Sequence, residues 1–255
     1  MTPKPRPRMV RKRMTLVIGT VCSDGLFFCA DTEEGTTSGH KRHVSKLYPA
    51  GMDKWELVVA TAGYGVLSDM AAKQIIGAAL ASSDTFILRH RDVIEDQVAA
   101  LYKKYVQPYP AKDYREFKLI IGLLDRSAKK PYLYMTEEEI VHPVDDPFAC
   151  AGAGDTIGYY YLDRLFRDER PPNFGGRIPK IHEAQKLLRY VMKEAKLHVG
   201  GVGGSTIFAS VPFEGAKSTG NYGAGWEGMN PNFADLIRHF WLDDPGGPKP
   251  STPET

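Results

Sequence analysis

The segment TLVIGTVCSDGLFFCAD, from Thr15 to Asp31, most constrains how this chain can fold. It consists of two apolar, β-rich runs joined at Asp24-Gly25. Asp-Gly between two such runs is a strong signal for a β-hairpin with a two-residue turn. An isolated hairpin is marginally stable in water and needs further strands or a helix to cover its apolar face. The remaining chain must therefore supply those partners.

The order of patterns after the hairpin predicts a mixed fold. Strand patterns cover Trp55 to Gly63, Phe117 to Asp125, two short runs between Pro131 and Val144, and Ser205 to Val211. Helical periodicity covers Gly63 to Ser82, Arg91 to Tyr105, a segment entered through a Gly-rich turn after Cys150, and Lys180 to His198. Both helix pairs need an apolar sheet face to pack against. We therefore predict an α+β fold, a four-layer αββα sandwich of two antiparallel sheets between helical layers.

Three segments differ in composition along the 255 residues. Residues 1–14 form a basic arm or propeptide, with six Lys or Arg and no acidic residue. Residues 15–215 form one domain, and residues 216–255 form an extension with a short helix, NFADLIRHFWL, and a disordered tail. Short charged termini are usually solvated, so no nucleic-acid partner is expected.

Several classes of protein are disfavoured by the composition. No stretch approaches the roughly 18 apolar residues that span a bilayer, and no apolar segment follows the basic arm, so we expect a cytoplasmic protein without a membrane partner. The three cysteines, Cys22, Cys29 and Cys150, lack the number and spacing of a disulfide framework or a zinc site. We expect no metal and no cofactor.

Three stretches resemble proteasome β-type subunits and their simpler bacterial relatives, which are N-terminal-nucleophile hydrolases. These stretches are the opening hairpin, the basic segment HKRHVSKLYP and the strand-turn VVATAGYG. The resemblance extends through CAGAGDTIGYYYLDRLF and the last long helix, over roughly residues 15–211. A gap-free alignment of Gly19, Asp24-Gly25 and Asp31 places Thr15 on the nucleophile of that family.

The resemblance implies four site residues. Thr15 would supply both the nucleophilic hydroxyl and, once it is the first residue, a basic α-amine with an ordinary pKa of about 7.7 to 8.0. Lys46 matches the family lysine, whose charge favours the neutral amine and lowers the proton affinity of the hydroxyl. Asp31 would orient Lys46, and the backbone N–H of Gly63 would face the tetrahedral oxyanion.

The activity implied is that of a threonine endopeptidase, acting on peptides or unfolded proteins as a subunit of a self-compartmentalised protease. It would form a homo-oligomeric ring, with an ATPase unfoldase as a possible partner. Residues 1–14 must first be removed, or translation must start at Met14, because an internal Thr15 has no free amine. The substrate side chain would enter a pocket near Val44, Thr61 and Gly65, which suits an apolar group.

Departures from the family pattern leave two other functions open. Ala153 stands where the family usually has a serine, and His198 and Gly201 stand near its usual aspartate and serine. His198 is either a substitute proton carrier or a cap at the helix end. The alternatives are a catalytically silent structural ring subunit and an N-terminal-nucleophile amidase for small molecules.

Overall fold

A computed structural model describes residues 15–35, 40–109, 116–167, 178–215 and 218–222. The basic arm and the predicted C-terminal helix and tail lie outside these ranges. One strand, Ser218–Tyr222, lies in the predicted C-terminal extension, for which no strand was predicted. It pairs with Thr206–Pro212, which explains why a short polar segment forms a strand.

The first sheet contains the predicted hairpin at its centre. Its strand order is β10-β1-β2-β11-β12, with every neighbouring pair antiparallel. The strands are β1 (Val17–Cys22), β2 (Gly25–Asp31), β10 (Phe148–Ala151), β11 (Thr206–Pro212) and β12 (Ser218–Tyr222). Cys22 pairs with Gly25, so the turn residues are Ser23 and Asp24, one residue earlier than predicted. A Cβ on Gly25 would lie 2.2 Å from the carbonyl oxygen of Val211, so this close pairing requires glycine.

The second sheet contains the two longest predicted strands, which are confirmed to the residue. Its order is β5-β6-β7-β8-β9, again antiparallel throughout. The strands are β5 (Leu47–Met52), β6 (Trp55–Gly63), β7 (Phe117–Asp125), β8 (Lys130–Glu137) and β9 (Ile140–Pro143). A separate two-stranded sheet pairs β3 (Glu33–Gly35) with β4 (Lys41–His43).

Four α-helices accompany the sheets in the described ranges. They are α1 (Gly65–Ser82), α2 (Phe86–Leu101), α3 (Asp155–Arg167) and α4 (Ile181–His198). Helix α2 begins before the predicted Arg91 because a short 3₁₀ turn, Ser83–Thr85, leads into it directly from α1. None of the helices described is both long enough and apolar enough to cross a bilayer.

Three apolar clusters hold these elements together. One joins α1 and α2 to the second sheet, one lies between residues of the two sheets, and one joins α3 and α4 to the first sheet. Consecutive residues of β2 face different clusters: Phe27 contacts the helical side and Phe28 the second sheet, as strand geometry requires. The mixed fold with two antiparallel sheets is confirmed. The four-layer order stays a prediction, and the positions of the clusters agree with it.

Candidate active site

The carboxylate of Asp31, at the end of β2, is the centre of a buried hydrogen-bond network. Asp31 is fully buried. Its Oδ1 accepts from Thr15 Oγ1 at 2.5 Å, Leu16 N at 3.0 Å and Lys46 Nζ at 2.8 Å, and its Oδ2 accepts from Glu33 N and Gly203 N, both at 3.2 Å. A buried carboxylate is very costly unless it is paired and hydrogen-bonded. Five donors, one of them a cation, meet that condition.

Thr15 is held from both sides immediately before β1. Its hydroxyl donates to Asp31 and accepts a close hydrogen bond from Lys46 Nζ. Its carbonyl oxygen accepts from Gly154 N at 3.1 Å. Gly152 has a φ of +108°, and a Cβ there would lie 2.2 Å from that carbonyl oxygen. The Gly-rich turn before α3 therefore fixes the position of Thr15.

Lys46, between β4 and β5, uses its three N–H groups on three oxygens. Besides Thr15 and Asp31, its Nζ donates to the carbonyl oxygen of Glu33 at 2.7 Å. Burial lowers the pKa of this ammonium, although the negative charges of Asp31, Glu34 and Glu33 oppose the shift. The structure thus brings Thr15, Asp31 and Lys46 into one contact group, as the sequence predicted.

Gly63 lies in the wall of the same cavity that Thr15 lines. It ends β6 with a φ of +96°, and a Cβ would lie 2.6 Å from the carbonyl oxygen of Glu116. Both observations explain why glycine occupies this position. Its role as an oxyanion donor stays a prediction.

The cavity beside Thr15 has a volume of about 490 Å³. Val44, Thr61 and Gly65, the residues predicted to surround a substrate side chain, all line it. Its walls also carry charged side chains that the prediction of an apolar pocket did not include. These are Glu33, Glu34, Arg42, Asp69 and Lys73.

Gly203 and Lys196 are two further residues around the site that the sequence did not predict. The N–H of Gly203 donates to Asp31, and Lys196, near the end of α4, donates to Gly204 O at 2.8 Å and Thr206 Oγ1 at 2.7 Å. Burial lowers the pKa of Lys196, and the nearby positive charge of Lys46 lowers it further. Asp31 and Cys29 act in the opposite direction and raise it. Lys196 thereby ties the loop that contacts Asp31 to α4.

A sequence signal for Lys196 did exist. Leu188, Met192 and Lys196 are spaced four residues apart, so the lysine continues an apolar stripe of α4 toward the core. A lysine on such a stripe is placed where it must find oxygen partners. Gly203 has no comparable signal, because only the tertiary fold brings its loop beside β2.

Three positions depart from the family pattern, namely Ala153, His198 and Gly201. The Nε2 of His198 lies 3.5 Å from Oε2 of Glu194, and the His198 side chain is 61% exposed. This position at the end of α4 supports the helix-end role over the proton carrier. Ala153 is exposed in the Gly-rich turn, and Gly201, with a φ of +92°, lies in the turn after α4.

The cysteines do not offer an alternative nucleophile. Cys22, Cys29 and Cys150 are free thiols and buried, and burial raises the pKa of each well above its ordinary value. Since the thiolate is the reactive form, these groups are inert. In the residues described, no group of three or more His, Cys, Asp or Glu side chains could hold a metal ion.

Comparison with known proteins identifies similar solved structures. No protein-family model and no curated protein matches the sequence. Anbu (ancestral beta-subunit) from Yersinia bercovieri has a TM-score of 0.71 at 13% identity, covering 92% of this chain and 99% of that one. Anbu from Hyphomicrobium sp. strain MC1 has a TM-score of 0.68 at 17% identity, covering 93% and 100%. The helical assembly of the Anbu complex from Pseudomonas aeruginosa gives 0.65 at 16%, covering 89% and 92%.

These findings correct the family assigned from the sequence. The similar structures are Anbu proteins, a family distinct from proteasome β-type subunits, and no sequence match supports the proteasome assignment. The opening hairpin and the strand-turn that ends β6, which carried the resemblance, are elements of the fold, and the fold is what the Anbu structures share with this chain. At 13% to 18% identity, the likeness to Anbu shows the fold.

Proposed function

We propose that this chain is a subunit of a homo-oligomeric assembly with an Anbu-like, four-layer fold, and that its Thr15 hydrolyses amide bonds in peptides. The observation that carries the catalytic part is the buried contact group of Thr15, Asp31 and Lys46 beside a cavity of about 490 Å³. The description of the Pseudomonas aeruginosa relative as a helical assembly supports the oligomeric part.

The first chemical step uses the α-amine of Thr15 as the base. The amine accepts the hydroxyl proton while Oγ1 attacks the substrate carbonyl carbon, which gives a tetrahedral oxyanion. Lys46 donates to Oγ1 and stabilises the negative charge that develops there, and Asp31 holds Lys46 in place. The backbone N–H of Gly63 is the proposed donor to the oxyanion.

The second step breaks the amide bond and regenerates the enzyme. The tetrahedral intermediate collapses, the ammonium of Thr15 gives its proton to the leaving nitrogen, and an ester remains on Oγ1. Water, deprotonated by the same amine, attacks that ester and releases the carboxylic acid. The hydroxyl of Thr15 is restored, so no other reactant is needed.

This mechanism requires residue 15 to be the first residue of the chain. Within the 255-residue chain its nitrogen is an amide, which cannot accept a proton. Cleavage after Met14 would expose the amine. Translation from Met14, followed by removal of that methionine, would have the same result.

A second candidate is a catalytically silent assembly subunit. Two observations favour it: Ala153, between the two glycines that contact Thr15, has no hydrogen-bonding side chain, and the side chain of His198 is largely exposed. Oxygen and nitrogen partners around a catalytic amine are important for rate. The two candidates share the assembly and differ only in chemistry.

The discriminating experiment compares the 255-residue chain with a form expressed from Met14. Intact mass should show that the shorter form begins at Thr15. That form should be acylated at Thr15 by a β-lactone and should hydrolyse fluorogenic peptides, and Thr15→Ala should abolish both. Protein from the native host should also begin at Thr15. Retention of residues 1–14 there, with no acylation of the short form, would support the silent subunit, and turnover of small amides alone would support the amidase.

A further inference from the structure

We propose that the cavity beside Thr15 selects a cationic side chain, a guanidinium or an ammonium, on the acyl side of the scissile amide bond. This inference rests on the proposed function and names the substrate class of the same site. Because Thr15 itself lines the cavity, the substrate side chain nearest the attacked carbonyl is the one placed to enter it.

The strongest evidence is the position of Glu34. This residue of β3 is 8% exposed, and its carboxylate lies against the start of α1, since a Cβ on Gly65 would lie 2.0 Å from Glu34 Oε1. A carboxylate is favourable at a helix N-terminus because of the unpaired N–H groups there. Glycine at position 65 leaves the space that the carboxylate occupies. The negative charge is therefore fixed in the cavity wall.

Asp69 adds a second carboxylate on the same face of α1, four residues after Gly65. Its Oδ1 accepts from the hydroxyl of Tyr48 at 2.9 Å, and its Oδ2 accepts from Lys73 Nζ at 2.8 Å. Burial alone would raise the pKa of Asp69, but these hydrogen bonds lower it below its ordinary value. Asp69 is thus charged at neutral pH.

The cations that form ion pairs with these two acids are more exposed than the acids themselves. Arg42 pairs with Glu34 at 2.7 Å and Lys73 pairs with Asp69 at 2.8 Å, but the two basic side chains are 56% and 66% exposed. Solvent-exposed partners contribute little stability and pay side-chain entropy to stay in place. A substrate cation can therefore take their place while the acids remain. An apolar side chain would leave these carboxylates without a substrate partner, and an acidic side chain would be repelled by them.

The test uses peptide epoxyketones that differ only in the residue bearing the electrophile: arginine, citrulline or leucine. Citrulline keeps the shape of arginine but carries no charge. The rate of adduct formation on Thr15 is followed by intact mass, with the form that begins at Thr15. We expect the arginine probe to react about tenfold faster than the citrulline probe, because charge-assisted hydrogen bonds are roughly twice as strong as neutral ones.

Substitutions in the cavity test whether its carboxylates cause the faster reaction of the arginine probe. Glu34→Gln should bring the arginine-to-citrulline ratio toward one, and Asp69→Asn should lower it, whereas Arg42→Ala should raise it by removing the competing cation. Glu95→Gln is the matched control, because Glu95 is an acid paired with an exposed arginine, Arg91, on α2. Its ratio should equal that of the unmodified protein.

Two results would contradict the proposed preference for a cationic side chain without contradicting the proposed function. One is adduct formation with equal rates for arginine and citrulline, and the other is a ratio that neither Glu34→Gln nor Asp69→Asn changes. Adducts with the leucine probe in either case would leave the proposed function intact. If no probe reacted with Thr15, the proposed function would fail and the inference with it.

Discussion

Lys46 and Asp31 place opposite charges under the hydroxyl of Thr15, both nearly removed from water. Such a pair is stable only when its remaining hydrogen-bonding groups are satisfied, and here the carboxylate has five donors and the ammonium three acceptors. The pair thus fixes a cation within contact of the proposed nucleophile. Its protonation state then controls the chemistry.

As the pH is raised, the acylation rate should begin to fall before pH 10.5, the ordinary pKa of a lysine, is reached. Burial favours the neutral amine, so Lys46 loses its proton at a lower pH than an exposed lysine, and the rate falls as its positive charge is lost. The measurements are the pH dependence of β-lactone acylation and a ¹³C NMR titration of labelled lysine. Lys46→Arg assigns the Lys46 signal by its absence. A Lys46 midpoint at or above 10.5 would contradict the prediction.

Lys196 acts on the site through the loop that it binds. Lys196→Met should slow acylation of Thr15 about 10-fold to 100-fold, the usual effect of losing an outer hydrogen-bond partner, because Gly203 would no longer be held against Asp31. Lys186→Met, the same change at an exposed position of α4, should leave the rate unchanged. Circular dichroism checks that both variants keep their fold. Equal rates in the two variants would assign Lys196 to a purely structural role.

The central hairpin packs against the second sheet, and one aromatic ring fills a narrow space in that contact. Phe28 of β2 lies between two glycines: a Cβ on Gly19 would lie 2.5 Å from the ring, and a Cβ on Gly122 of β7 would lie 2.4 Å from it. The two glycines therefore leave the space that the ring needs. This contact sets how closely the two sheets approach each other.

Gly122→Ala should destabilise the protein by about 1 to 3 kcal/mol, the usual cost of overpacking a filled core. The matched control is Gly77→Ala on α1, where a new Cβ would meet nothing within 4 Å. There alanine should stabilise by about 0.5 to 1 kcal/mol, because glycine is a poor helix former. Urea unfolding measures both changes. Equal effects at the two positions would show that the space around Phe28 is not restrictive.

The sequence predicted those elements that have a clear apolar pattern within their own residues. Strands β6 and β7 are long apolar runs and were found to the residue, and α4 was found within one residue at its start. Strand β4, Lys41–His43, is three exposed basic residues and gives no such pattern. It forms because it pairs with β3, and the residues of β4 themselves do not indicate that pairing.

The candidate site was predictable only in part for the same reason. Thr15, Asp31 and Lys46 lie in stretches that the family resemblance covers, so their proximity could be expected. The charges of Glu34 and Asp69 in one cavity depend on how β3 packs against α1, which no local pattern encodes. The predicted apolar pocket therefore missed the property that now defines its proposed specificity.

The molecule as a whole joins the site to both sheets. Asp31 and Thr15 lie in the middle of the first sheet, where β2 ends and just before β1 begins, while Gly63 and Thr61 belong to the second sheet. The relative position of the two sheets therefore sets the width of the cavity.

The proposed assembly predicts that the protein is much larger in solution than one chain of 28.3 kDa. Analytical ultracentrifugation at micromolar concentration should give a mass several times that value, and Thr15→Ala should give the same mass, because assembly does not depend on the nucleophile. Two large apolar side chains on different helix pairs, Leu88 of α2 and Leu197 of α4, are 81% and 65% exposed, and a charge at each position can test for a subunit contact there.

Leu88→Glu and Leu197→Glu locate that contact surface. A charge placed in an apolar interface is costly, so the variant that disrupts the interface should shift the measured mass toward 28.3 kDa. The other variant serves as its control, since both make the same change on an exposed helix. A single chain in every sample, including the unmodified protein, would contradict the proposed assembly and would leave Thr15 as the site of a monomeric hydrolase.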